Sequence, residues 1–205
     1  MRISIDRISL CTTISLSALF FVFSLYFAFG PHDYFKVAAG LFYTFAVFAP
    51  RYLYMHTTMH QWSSWRTIAF IEIVGGLFVS LNALGALKFY LSARYFDMVL
   101  HLIIPLCTTL LIAMLLGQYL QFIGKYSLLS VQFFSASCTI LLILLWEYFE
   151  WQSDMLFGTH MHGQAGEPYD TLYDIMAGVS AQPIALFIIY RYLHALHVWL
   201  QPPKR

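Results

Sequence analysis

The sequence predicts an all-α fold, a polytopic transmembrane bundle of about six spans, and three observations lead there. Hydrophobic residues make up 60% of the 205 positions and charged residues only 10%, with a mean hydropathy of +0.69. A water-soluble domain of this size carries about a quarter of its residues as charges, so lipid must replace water around most of this surface. Apolar runs of about 20 residues recur along the chain, the length that crosses a hydrocarbon core of about 30 Å as a helix. The runs also lack the alternation of barrel strands. Helices are then the one way to satisfy the backbone donors and acceptors inside lipid.

The first run covers about residues 8–29, behind Arg2 and Arg7. It is longer than a signal-peptide apolar core, and no small-x-small cleavage site follows, so it reads as the first transmembrane helix. The second covers 35–54 and ends near Pro50-Arg51; the third covers 67–87, the fourth 95–119, the fifth 128–149 and the last 171–196. Short polar breaks separate them: Gly30-Pro31-His32-Asp33, then 56–65 and 120–127, and a longer Gly- and His-rich stretch at 157–169 containing Pro168. No repeat or linker divides the chain, so residues 1–205 read as a single integral membrane domain. Cys11, Cys107 and Cys138 lie inside apolar runs and read as small packing residues rather than a disulfide. A formal charge of +1 argues against nucleic acid as a partner and leaves membrane lipids as the surroundings.

Orientation follows from the basic residues. A cytoplasmic N-terminus puts Arg2, Arg7, Arg51, Arg66, Lys125, Arg191, Lys204 and Arg205 inside, against Lys36, Lys88 and Arg94 outside. Both termini are therefore expected in the cytoplasm, and the loop at 157–169 outside.

The acids are concentrated. Seven of the ten, Asp97, Glu147, Glu150, Asp154, Glu167, Asp170 and Asp174, fall from position 97 onward, and no Lys or Arg lies between Lys125 and Arg191. An ionised group at membrane depth costs several kcal/mol unless paired, hydrated or metal-bound. Asp97 and His101 are four residues apart and share a helix face; Glu147, Glu150 and Asp154 share another; Asp170 and Asp174 share a third, on which Gly178 permits close helix approach. In a six-span topology these three faces meet at the outer end of the bundle, beneath a loop carrying His160 and His162.

Carboxylates with an imidazole suit a divalent metal such as Zn, Mn, Fe or Mg. Asp97, His101, Glu147, Glu150, Asp154 and Asp174 are the candidate ligands. Glu147, Glu150 and Asp170 are the candidates for catalysis, with a carboxylate outside the coordination shell acting as general base. Blander roles stand beside these. Asp97 can cap its helix and pair with Arg94, Asp170 can be an N-cap, the two glutamates can be hydrated or protonated at an interface, and Asp154 and Glu167 can be loop charges. Glu72, inside the third run, can pair with Arg51 or Arg66 or mark a proton path. The pairs His56/His60 and His194/His197 fit interfacial packing better than a second metal site.

These residues carry a family resemblance. Tyr95-Phe96-Asp97-Met98-Val99-Leu100-His101 with Pro105, Trp146-Glu147-Tyr148-Phe149-Glu150-Trp151 followed by Asp154, Phe157-Gly158-Thr159 and Gln164, and Asp170-Thr171-x-x-Asp174 with Gly178 resemble segments of the YjdF-like bacterial inner-membrane proteins. Glu72 falls where that family tends to carry an intramembrane acid. More distantly the chain is similar to VanZ-like membrane proteins, although Ala177 stands where related patterns often have Asn. The resemblance implies a multi-pass protein of the bacterial inner membrane and supplies no reaction; the VanZ-like similarity hints at the cell envelope.

Three functions fit. The first is a metal-dependent membrane hydrolase or transferase acting on a lipid or lipid-linked envelope substrate. The second is a cation or proton transporter, motivated by Glu72. The third is a non-catalytic assembly or envelope component in which the cluster only joins helices.

Overall fold

A computed structural model of the chain describes residues 5–85, 87, 95–159 and 169–200. The fold is an all-α membrane bundle, and no strand occurs among the described residues. Its helices are α1 (Ile5–Phe29), α2 (Tyr34–Ala46), α3 (Ala49–His56), α4 (Met59–Trp62), α5 (Trp65–Leu84), α6 (Phe96–Phe122), α7 (Leu128–Phe157) and α8 (Asp170–Leu200). Five of these, α1, α5, α6, α7 and α8, are long and apolar enough to cross a membrane, with only about a quarter to a third of each apolar window buried inside the protein. The remainder of their surface is left to lipid, as the composition requires.

The second apolar run differs from its expectation. In place of one helix it forms α2 and α3, interrupted at Val47 and Phe48. Pro50 is the cause: it lacks the N–H that would bond the Ala46 carbonyl, and its ring crowds that carbonyl. Pro50 is accepted instead in the first turn of α3, where no intrahelical partner is needed.

Helix ends follow local chemistry. The Asp33 side chain caps α2 by accepting from Lys36 N, Ser64 caps α5 through Thr67 N, and Ser127 caps α7 through Ser130 N. Gly158 ends α7 at φ +63°, a left-handed position that glycine adopts without a Cβ clash, and its N–H returns to the Asp154 carbonyl at 2.9 Å.

The chain divides into two compact units, Met1–Phe89 with Val198–Arg205, and Tyr90–His197. In the first, Phe20, Val47 and Ala83 form a buried core ringed by Leu16, Phe23, Tyr43, Phe48 and Val79. Small residues bring its helices close: a Cβ at Gly40 would collide with Ser24 Oγ, and one at Gly76 with Leu16. Ser17 and Ser24 donate across from α1 to the Thr44 and Val37 carbonyls of the second run at 3.0 and 3.2 Å.

The second unit is built from α6, α7 and α8, and its interior is layered. At one level Ala113, Val131, Ile189 and Leu193 form an apolar core. Next comes a buried polar layer in which the Thr109 hydroxyl lies 2.9 Å from both Thr139 Oγ1 and Gln182 Oε1. Above it, Gly178 brings α8 against Ile143 of α7 and the His101 carbonyl of α6; an added Cβ would lie 2.8 and 3.4 Å from them. That carbonyl is the one Pro105 leaves without its helical donor. The acid and imidazole groups occupy the layer beyond.

Candidate functional site

Three helices supply the cluster. Asp97 lies in the first turn of α6 with His101 one turn later; Glu147 and Glu150 lie on successive turns near the end of α7; Asp174 lies one turn into α8. The helix faces that the four-residue spacings imply do converge, and the carboxylates surround one ring. His101 Nε2 is 3.6 Å from Asp97 Oδ1 and 4.0 Å from Asp174 Oδ2, while Nδ1 is 3.4 Å from Glu147 Oε1. Two overlapping sets of ligand atoms result, Asp97/His101/Asp174 and His101/Glu147/Glu150. Within each set the atoms lie within 4.8 Å of one another.

Burial divides the two sets. The Asp97 side chain is 33% exposed, whereas those of Glu147 and Asp174 are 6% and 4% exposed. Glu150 is also buried, and the Trp146 indole N–H donates to its Oε1 at 2.7 Å. Both carboxylate oxygens of Glu147 lie buried with no hydrogen bond among the described residues. A buried acceptor left in this state costs about 1–3 kcal/mol, more if charged, so the position is unfavourable without a further occupant or proton. Because carboxylates supply oxygen donors and the imidazole one nitrogen, the set suits a divalent cation of intermediate hardness.

The other expected site residues fall outside these sets. Asp154 accepts from the Thr159 hydroxyl at 2.5 Å and so ties the end of α7 to the following residues. Asp170 is the first residue of α8, inside the helix rather than before it, where the N-terminal dipole favours its charge. His160, His162 and Glu167 lie outside the described residues, as do Arg94 and the His197 side chain.

Glu72 belongs to a different arrangement in the first unit. Its fully buried carboxylate receives Arg51 in fork geometry, Nε to Oε1 at 2.8 Å and Nη2 to Oε2 at 2.7 Å. The Ser9 hydroxyl also donates to Oε2. Arg51 in turn stands over the Trp65 ring, 5.1 Å from its centroid. Of the two partners the sequence offered, Arg51 is the one it takes. His56 stacks on Tyr52, and His60 Nδ1 lies 2.6 Å from the Thr57 carbonyl; neither joins a metal-spaced set among the described residues.

The polar layer of Thr109, Thr139 and Gln182 was not anticipated, yet a signal for it exists. Each residue lies eight positions from a cluster member on its own helix: Thr109 from His101, Thr139 from Glu147, Gln182 from Asp174. Eight residues are about 12 Å, a little over two turns, so the same three faces carry both layers.

No curated protein and no solved structure matches the chain. A family model described as predicted membrane protein (DUF2238) matches residues 12–195, which spans both units and every helix that supplies the cluster. The chain belongs to this family of predicted membrane proteins.

Proposed function

We propose that this protein is a metal-dependent enzyme of the bacterial inner membrane that acts on a lipid or lipid-linked envelope substrate, with a divalent cation held by the cluster around His101. The observation that carries the reading is Glu147, a buried carboxylate with neither oxygen hydrogen-bonded among the described residues, within ligand spacing of His101 and Glu150. Depth supports a lipid substrate. Tyr95, Trp146, Tyr148, Trp151, Tyr169 and Tyr173, all exposed, lie at the same helix ends as the cluster, and such rings favour the headgroup region. A metal there would polarise a carbonyl or phosphoryl oxygen or generate a hydroxide near neutral pH. With α2 and α3 together counted as one broken span, the distribution of Lys and Arg supports a cytoplasmic position for both termini, and the YjdF-like motifs are in keeping with the family.

The transporter reading drew on Glu72 as an acid at a second depth. Its bidentate pair with Arg51 gives that acid a structural role instead, which favours the enzyme reading. The test begins with metal content, measured by mass spectrometry on protein purified in mild detergent. Near-stoichiometric metal in the wild type, lost in His101→Gln with the fold retained, is the expected result. Vesicles of bacterial polar lipids would then be screened for metal-dependent headgroup release. A wild type that takes up neither Zn, Mn nor Mg, and whose stability is indifferent to chelator, would make the cluster a helix staple only.

A further inference from the structure

A neutral imidazole has one N–H donor and one lone pair, yet His101 presents a carboxylate to each nitrogen. A cation can occupy one side only while the ring stays neutral, so the two ligand sets are alternatives rather than equals. Three observations choose between them. Access favours the Nε2 side, because Asp97 is one-third exposed and the Glu147 side is closed; a working metal keeps a position open to water or substrate. Glu150 Oε1 already accepts from the Trp146 indole N–H. Among the described residues Glu147 has no hydrogen bond on either oxygen, and His101 Nδ1 lies 3.4 Å from its Oε1.

We propose that the cation sits on the Nε2 face of His101, ligated by Asp97 and Asp174, and that Glu147 is a positioning residue that accepts a hydrogen bond from Nδ1–H. This inference rests on the metal-site reading above. Metal-binding histidines commonly donate their second nitrogen to a carboxylate, which fixes the tautomer and strengthens the ligand. Here that relation runs across helices: α6 and α8 hold the metal, and α7 orients the ring from behind. Glu147 gains a hydrogen-bond donor, and the Nε2 lone pair faces a cation instead of two carboxylates.

The test is Zn binding to the full-length protein in detergent, combined with nitrogen NMR of labelled histidine in the wild type. Asp97→Asn and Asp174→Asn should each weaken Zn binding by 100-fold or more. Glu147→Gln should retain one Zn per chain with an affinity lowered about 10- to 100-fold, and Glu150→Gln should stay close to wild type. The NMR, which needs no variant to fold, should show Nε2 metal-bound and Nδ1 protonated. A metal-shifted Nδ1, or Zn binding abolished by Glu147→Gln but retained in Asp97→Asn, would overturn the assignment while leaving a metal site standing. A wild type that binds no Zn, Mn or Mg would overturn the site itself.

Discussion

Two buried acids, Glu72 and Glu147, sit on apolar helices and meet opposite fates. Glu72 has a guanidinium in fork geometry and a serine hydroxyl, so both oxygens are satisfied. Glu147 faces the His101 imidazole together with Asp97 and Asp174, and among the described residues neither of its oxygens accepts a hydrogen bond. Burial is nearly the same, and only the company differs. A buried acid by itself therefore says little about function: a completed pair holds helices together, and an incomplete one is a place where something else can bind.

Three substitutions press on that contrast. The largest effect is expected from Arg51→Ala, which strands the Glu72 carboxylate in the protein interior and should cost about 3–5 kcal/mol. Reversible unfolding in mixed detergent would measure it, and Arg51→Met with Glu72→Leu together should recover most of the loss. If the single variant is as stable as wild type, the pair is not a staple. Next comes Glu147→Met, for which the sign should reverse. Removing an incompletely bonded carboxylate should stabilise the metal-free protein by about 1–2 kcal/mol, while the stabilisation produced by added Zn shrinks. Destabilisation comparable to that of Arg51→Ala would make the two acids equivalent and remove the contrast. The smallest effect is expected from Thr109→Val, which deletes the hydroxyl bridging Thr139 and Gln182. Hydrogen bonds between helices in lipid average about 0.6 kcal/mol. A loss several times larger, or one accompanied by weaker Zn binding, would make this layer part of the site rather than its floor.

Much of the molecule follows from the amino-acid order alone. Composition fixed the class, since backbone hydrogen bonds in lipid close locally between residues i and i−4 and an apolar run of sufficient length has no other stable form. Four-residue spacings placed Asp97 with His101, and Asp174 with Gly178, on common faces, because helical periodicity is set by the backbone. Helix caps at Asp33, Ser64 and Ser127 are equally local. The interruption at Val47 and Phe48 was legible too, in Pro50, although the apolar run concealed it.

Tertiary structure decided what depends on how helices cross. It selected Arg51 over Arg66 for Glu72, drew Asp154 to Thr159, and left Asp170 outside the two ligand sets. It turned the two nitrogens of His101 toward different acids. Periodicity assigns a side chain to a face, but a contact at 3–4 Å also requires the helix separation and the rotamer. Those depend on partners such as Ile143 and Gly178, which lie 35 residues apart in sequence and meet only when the bundle has packed.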